Sequence, residues 1–233
     1  MLLTEVYDQL AYGELRNTVL GDAIGLTGAM DGSPDGTNVE TIHAKVLPLV
    51  KLGITELHKR FLLREVTLTQ ALVADQADYT LATASDDLLK VVRIYGTYLT
   101  KTFEIPINEI NNELSIRVAD TSLIVPTDGT KAPWLLETTS LSIRYQADHV
   151  TIPASLAWAS AASTNITLPR SHLWALCLYV ASRVTNSMGF GGEMHEGNNY
   201  AIKFEQEVAS LKGFNFEVDT DYENVKLTNR GFA

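Results

Sequence analysis

The sequence predicts an α+β fold, with N-terminal and C-terminal helices packed as a helical bundle and a central antiparallel β domain inserted between them. Apolar residues recur at three- and four-residue steps before Glu65 and again after Ile166, which is the spacing of one helical face. Between those stretches the period falls to two, with turn residues separating short runs, the pattern of antiparallel strands. These changes of period divide the chain into an N-terminal helical part (1–64), a central β domain (65–165), a C-terminal helical hairpin (166–212) and an extended tail (213–233).

Thr4 is a candidate N-cap for a short first helix lined by Val6, Tyr7, Leu10 and Ala11, which Gly13 interrupts before a turn through Leu15 and Val19. Residues 25–37, rich in glycine and holding two Asp-Gly pairs, read as a loop. Asn38 is placed to cap a helix reaching about Leu63, with Ile42, Val46, Leu49, Val50, Ile54, Leu57 and Phe61 on its apolar side. Pro48 is expected to bend or break that helix near 44–47, and Gly53 to weaken it. Strands are expected at Val66–Thr69, Tyr79–Leu81, Val91–Tyr95, Leu114–Val118, Leu123–Val125 and Leu141–Tyr145, with Asp128-Gly129 and Pro133 as punctuation. The Ala/Ser-rich stretch Ala154–Thr164, carrying Trp158, reads as a surface loop or an arm packing on a neighbour.

The run from Ile166 to Met188 is a short strand, a proline start and a long helix. Pro169 suits a first helical turn, where its missing N–H costs nothing. Leu173, Leu176, Val180, Val184 and Met188 share one face, and Trp174, Cys177, Leu178 and Ala181 widen it until little polar surface remains. A helix apolar on most sides is buried between elements. Asn198 or Asn199 is the candidate cap of the last helix, whose stripe is Tyr200, Phe204, Val208 and Leu211.

Bulk properties narrow the function. The chain has 233 residues, 45% of them hydrophobic and 20% charged, an ordinary globular composition with enough length for a real core. Its formal net charge is -10 and no basic patch appears, so direct high-affinity binding to nucleic acid is not expected. Cys177, the single cysteine, sits in the apolar helix and forms no intramolecular disulfide. The start MLLTEVYDQL has no basic n-region, so no signal peptide is expected, and no window reaches the ~18 apolar residues of a membrane span.

No motif carries a strong chemical signal. Asp148-His149 and Ser171-His172 are the candidate parts of a hydrolase triad, but sequence neighbours do not define triad geometry and no G-x-S-x-G elbow is present. Glu193, His195 and Glu196 invite a metal reading, yet H-E-x-x-H would need a second histidine where Asn199 stands. Asp86-Asp87 are paired acids at a turn, expected to cap or be solvated. Catalytic, cofactor and metal sites are therefore expected to be absent. Trp158, Phe214, Phe216, Tyr222 and Phe232 are the candidate partner-binding residues, because aromatics dominate interface hot spots.

YGEL at 12–15, LPLVKLGITELHKRF at 47–61, DLLKVVRIYG at 87–96, ITLPRSHLWALCLYVASRV at 166–184 and YAIKFEQEVASLK at 200–212 together resemble the head–tail connector (adaptor) proteins of tailed bacteriophages. The resemblance implies a structural virion protein forming a ring, often of twelve copies, between the portal protein and the tail. It implies contacts to nozzle or tail-tube proteins, DNA passing through without sequence-specific binding, and location in the virion neck after assembly in the host cytoplasm. An acidic ring suits a channel through which DNA slides. Another neck or tail ring protein such as a tail terminator, and a hydrolase using His149 or His172, are the other classes in view.

Overall fold

The computed structural model describes residues 1–15, 36–73, 75–81, 87–98, 101–109, 112, 115–119, 122–127, 138–187 and 194–214. Helices α1 (Leu3–Tyr12) and α2 (Gly36–Arg60) come first. Then come the strands β1 (Glu65–Ala71), β2 (Asp78–Thr80), β3 (Leu88–Tyr98), β4 (Lys101–Ile105), β5 (Arg117–Ala119), β6 (Ser122–Ile124) and β7 (Ser140–Ala147). The chain closes with α3 (Trp158–Ala161), a 3-10 turn (Arg170–His172), α4 (Leu173–Ser187) and α5 (Met194–Gly213).

Helix α4 organises the helical core. Ala175, Leu176, Cys177, Leu178, Val180, Ala181 and Val184 are all buried, on every side of the helix, and α4 packs against α5, α2 and α1. Gly53 of α2 faces α4 so closely that an added Cβ would lie 2.6 Å from Leu176 Cδ1 and 2.9 Å from the Tyr179 ring. The glycine expected to weaken α2 is thus what lets it approach α4. Pro48 does not end α2. It and Ala44 lie on the exposed side, so the backbone carbonyl that loses its helical partner sits where water supplies one.

Helix α1 begins at Leu3 with Leu2 as its cap, and Thr4 lies inside it. Its start is fixed by backbone pairing instead. Ile166 N–H donates to Met1 O at 2.9 Å and Leu3 N–H to Thr164 O at 2.9 Å, around a Leu2–Asn165 bridge. Asn198 and Asn199 likewise fall within α5, which starts at Met194. The loop 25–37 up to Asp35, Val19, Leu114 and the tail beyond Phe214 lie outside the described residues.

The expected arrangement, a bundle of terminal helices with one central antiparallel β domain inserted, is corrected. The strands form two antiparallel sheets: four strands in the order β1-β7-β3-β4, and three in the order β2-β6-β5. Helical structure also returns inside the stretch assigned to the β domain, at α3. The division is physical. β2, β5 and β6 are three residues each, too short to extend the larger sheet, and they lay Tyr79 and Leu123 into one core with Ile94, Ile105, Leu141 and Ile143. β7 in turn is not separable from the helices: Gln146 Nε2 donates to Phe61 O at 2.9 Å and to His58 O.

The close approach at Gly53 makes a prediction. Gly53→Val would force two methyl groups into the α2–α4 contact, where Leu176 is fully buried. We expect a loss of about 2 kcal/mol, read as a lower midpoint in urea denaturation with unchanged slope.

Candidate functional site

Among the described residues, two of the places that gather polar side chains stand out. The first is the junction where β7 leaves the sheet and enters the helical layer. Asp148 Oδ2 accepts from Thr55 Oγ1 at 2.8 Å, and Oδ1 accepts from the backbone N–H of His149 at 2.7 Å. Arg64 Nη1 donates to Asp148 O at 2.7 Å and to Asp87 Oδ2 at 3.0 Å. The fully buried ring of His58 lies between two carbonyls, with Nε2 2.9 Å from Thr167 O and Nδ1 3.2 Å from Ala147 O.

This junction holds both histidines considered for hydrolysis, and it does not assemble a triad. Asp148 holds the backbone of His149, while the ring Nδ1 of His149 lies 2.7 Å from Val150 O. Ser171 Oγ is 3.0 Å from His172 Nδ1, the contact expected of a nucleophile and its base. The other nitrogen of His172, however, is buried with no hydrogen-bond partner among the described residues, so no described carboxylate orients the ring, which stands edge-on to Phe61 at 4.7 Å. Burial, reinforced by nearby His58, pushes the His172 imidazole down to about 4, so it is a poor base at neutral pH. Burial also lowers His58 and pushes the Cys177 thiol up to about 12, far from a reactive thiolate.

The second place is the face of the four-stranded sheet turned away from its core. Alternation sends Leu141, Ile143 and Tyr145 of β7 inward and Ser140, Ser142 and Arg144 outward, where they line a concavity of about 620 Å³. Across the strands Thr67 pairs with Arg144 and Arg144 with Arg93, while Thr69 pairs with Ser142, Ser142 with Tyr95 and Tyr95 with Glu104. Two arginines thus stand side by side. Arg144 lies 5.1 Å over the Tyr95 ring and 3.8 Å from Glu65, and Arg93 is 3.9 Å from Glu104. The face is polar, with two arginines, two glutamates and a rim of hydroxyls.

Of the residues singled out for partner binding, Trp158 and Phe214 fall among the described residues. Trp158 is half-buried, its ring 5.4 Å from Tyr7 and 5.7 Å from His43. His43 is itself fixed by Tyr7 Oη at 2.9 Å and Leu156 O at 2.7 Å, so Trp158 serves the packing of α1, α2 and α3. Phe214 is 70% exposed at the end of α5. Phe216, Tyr222 and Phe232 lie outside the described residues, as do Glu193 and Asp86. His195 and Glu196 fall in the first turn of α5, and Asp87 is the ion-pair partner of Arg64. No group of acidic, histidine or cysteine residues able to hold a metal occurs among the described residues, and no described helix is long and apolar enough to cross a membrane. Sequence reasoning does not single out Arg93, Tyr95 and Arg144, although the alternation in VVRIYGTY and LSIRYQA puts them on one strand face.

No protein-family model matches this chain, and no curated protein matches it.

The pH dependence of stability follows from His172. Its folded value lies below the ordinary 6.5, so the unfolded chain takes up the proton first as pH falls. The stabilising effect of the neutral ring is complete above about pH 6.5 and is lost on the way down to about 4, at a limit of roughly 1.4 kcal/mol per pH unit. Urea denaturation at pH 7.5 and 5.0 should show a loss of stability that His172→Gln reduces by about 1–2 kcal/mol. Identical losses in the two proteins would refute the assignment.

Proposed function

We propose that the chain is a structural virion protein, a head–tail adaptor whose copies form a ring that joins the portal to the tail and lets DNA pass. The reading rests on the resemblance of five segments to phage connectors, spread from residue 12 to residue 212. The observation that carries it in the structure is the division of labour among polar groups. Those that come together, at the β7 junction, are used to hold sheet to helices. Those left facing outward form a broad polar sheet surface, and Leu52, Trp174 and Ile202 are exposed on the helices at 56%, 41% and 56%. Extended surfaces of this kind serve contacts between subunits better than they serve turnover of a small substrate. A formal charge of -10 per subunit favours free passage of DNA along the lumen.

In this reading the ring has twelve copies, sits in the virion neck and is assembled in the host cytoplasm. The adaptor binds the portal on one side and nozzle or tail-tube proteins on the other, and it performs no catalysis. Native mass spectrometry of the full chain, alone and mixed with the portal protein from the same genome, tests it. The expected result is one complex with one adaptor copy per portal subunit. A folded monomer that ignores the portal would refute the adaptor and favour a tail-side ring protein such as a tail terminator.

A further inference from the structure

Sheet and helices keep separate interiors. Among the described residues, the buried apolar side chains of the helices form one cluster, joined by Ile152, Ile166 and Leu168. Those of the strands form another around Ile94, Leu123 and Ile143, with Tyr145 and Ala147 as a small group at the end of β7. None of these clusters crosses from one layer to the other. What crosses is polar. Gln146 Nε2 donates to His58 O and Phe61 O, Thr55 Oγ1 donates to Asp148 Oδ2, and the His58 ring lies between Ala147 O and Thr167 O.

Three histidines meet at this crossing. The rings of His58 and His149 are 6.2 Å apart, and His172, edge-on to Phe61, is near enough to His58 to feel its charge. His58 and His172 are fully buried and His149 nearly so. Like charges gathered out of water repel, and each costs free energy unless it is paired. A charged His172 would bury an N–H without an acceptor, since its Nε2 has no partner among the described residues.

The charged groups around the cluster give little relief. Asp148 favours a charged His58, yet its oxygens already accept from Thr55 Oγ1 and the His149 N–H. Arg64 adds a positive charge on Asp148 O and on Asp87, which also accepts from Tyr145 Oη. From α5, Lys212 lies 5.9 Å from the Phe61 ring centroid, while Arg60 is paired with Glu56 and Glu205. Burial therefore lowers the proton affinity of both His58 and His172 in the closed junction. In water each ring takes its proton near the ordinary 6.5. Falling pH thus favours an open junction, by up to about tenfold per pH unit for each ring.

We infer that this crossing is a latch opened by acid: proton uptake by His58 and His172 frees the strand exit Ala147–Val150 from the helices, while the sheet core and the helical core each stay folded. The latch belongs to the fold and does not depend on the adaptor reading.

Hydrogen exchange followed by NMR in the full chain at pH 7.0 and 5.0, corrected for intrinsic rates, tests this. The Gln146 side-chain amide and the Phe61 N–H should lose at least tenfold in protection at pH 5.0. The amides of Ile143 in β7 and Val180 in α4 should keep theirs. His172→Phe should match the native chain at pH 7.0 and lessen the acid loss severalfold. Unchanged protection at pH 5.0, or an equal loss in native chain and variant, would overturn the inference. So would a simultaneous loss at Ile143 and Val180, which is global unfolding. Should His172→Phe not fold, the imidazole signals of the native chain decide. They should titrate together with the loss of Gln146 protection, and rings that charge while Gln146 stays protected would refute the latch.

Discussion

The structure depends on how β7 ends. A strand that passes from a sheet into a helical layer carries its backbone polar groups into a place where neither ladder nor helix satisfies them, and such groups are seldom left unpaired. Here backbone and side chains share the task. Ala147 N–H donates to Arg64 O, His58 stands between Ala147 O and Thr167 O, and the Gln146 amide reaches back to the last turn of α2. A neutral imidazole donates through one nitrogen only. The ring faces Thr167 O at the shorter distance and Ala147 O at the longer, and burial lowers its affinity for a second proton. One ring thus couples α2 to the segment leading into α4, and the strand arriving from the sheet closes around it.

That junction explains why α4 is buried over most of its surface. The segment from Asp148 to Arg170 cannot move off the helical layer, because it is pinned at Asp148 by Thr55 and Arg64, at Leu156 by His43, and at Thr164 and Ile166 by the first residues of the chain. The helix that begins at Leu173 must therefore enter between α1, α2 and α5. Only a helix with apolar residues all round tolerates that position, and Gly53 supplies the space on the α2 side. The lone thiol of Cys177 is one consequence: it is a small apolar filler in a site without room or charge for reactivity.

Legibility in the sequence depends on range. The long helices and the alternation in β1, β3 and β7 are legible because both depend on spacing within a dozen residues. The helix starts are not, since α1 is fixed by pairing with residues 164–166, a contact across almost the whole chain. The split into two sheets is hidden for a similar reason: β2, β5 and β6 are short enough that propensity says little and pairing decides. β4 escapes the sequence reading although Thr102, Phe103 and Glu104 alternate beside Gly96 of β3, where Phe103 folds over the missing side chain. His58 sits at helical spacing among Ile54, Leu57 and Phe61 and reads as one more core position until Ala147 and Thr167 are placed against it. Trp158 reads as an anchor for a partner because nothing local shows Tyr7 and His43 beside it.

The outward sheet face obeys a different constraint from the junction. Arg93 and Arg144 are direct cross-strand neighbours, and like charges in that position repel. In a chain with ten more acidic than basic residues, acids nearby are easily supplied, and Glu65 stands 3.8 Å from Arg144 and Glu104 3.9 Å from Arg93. At this exposed depth such pairs contribute little to stability. The polar groups at the β7 junction are buried or half-buried and hydrogen-bonded to one another, His172 Nε2 excepted, while those on the sheet face outward. In the adaptor proposed above that separation would matter, because a contact face that also carried the fold would change whenever the partner came or left.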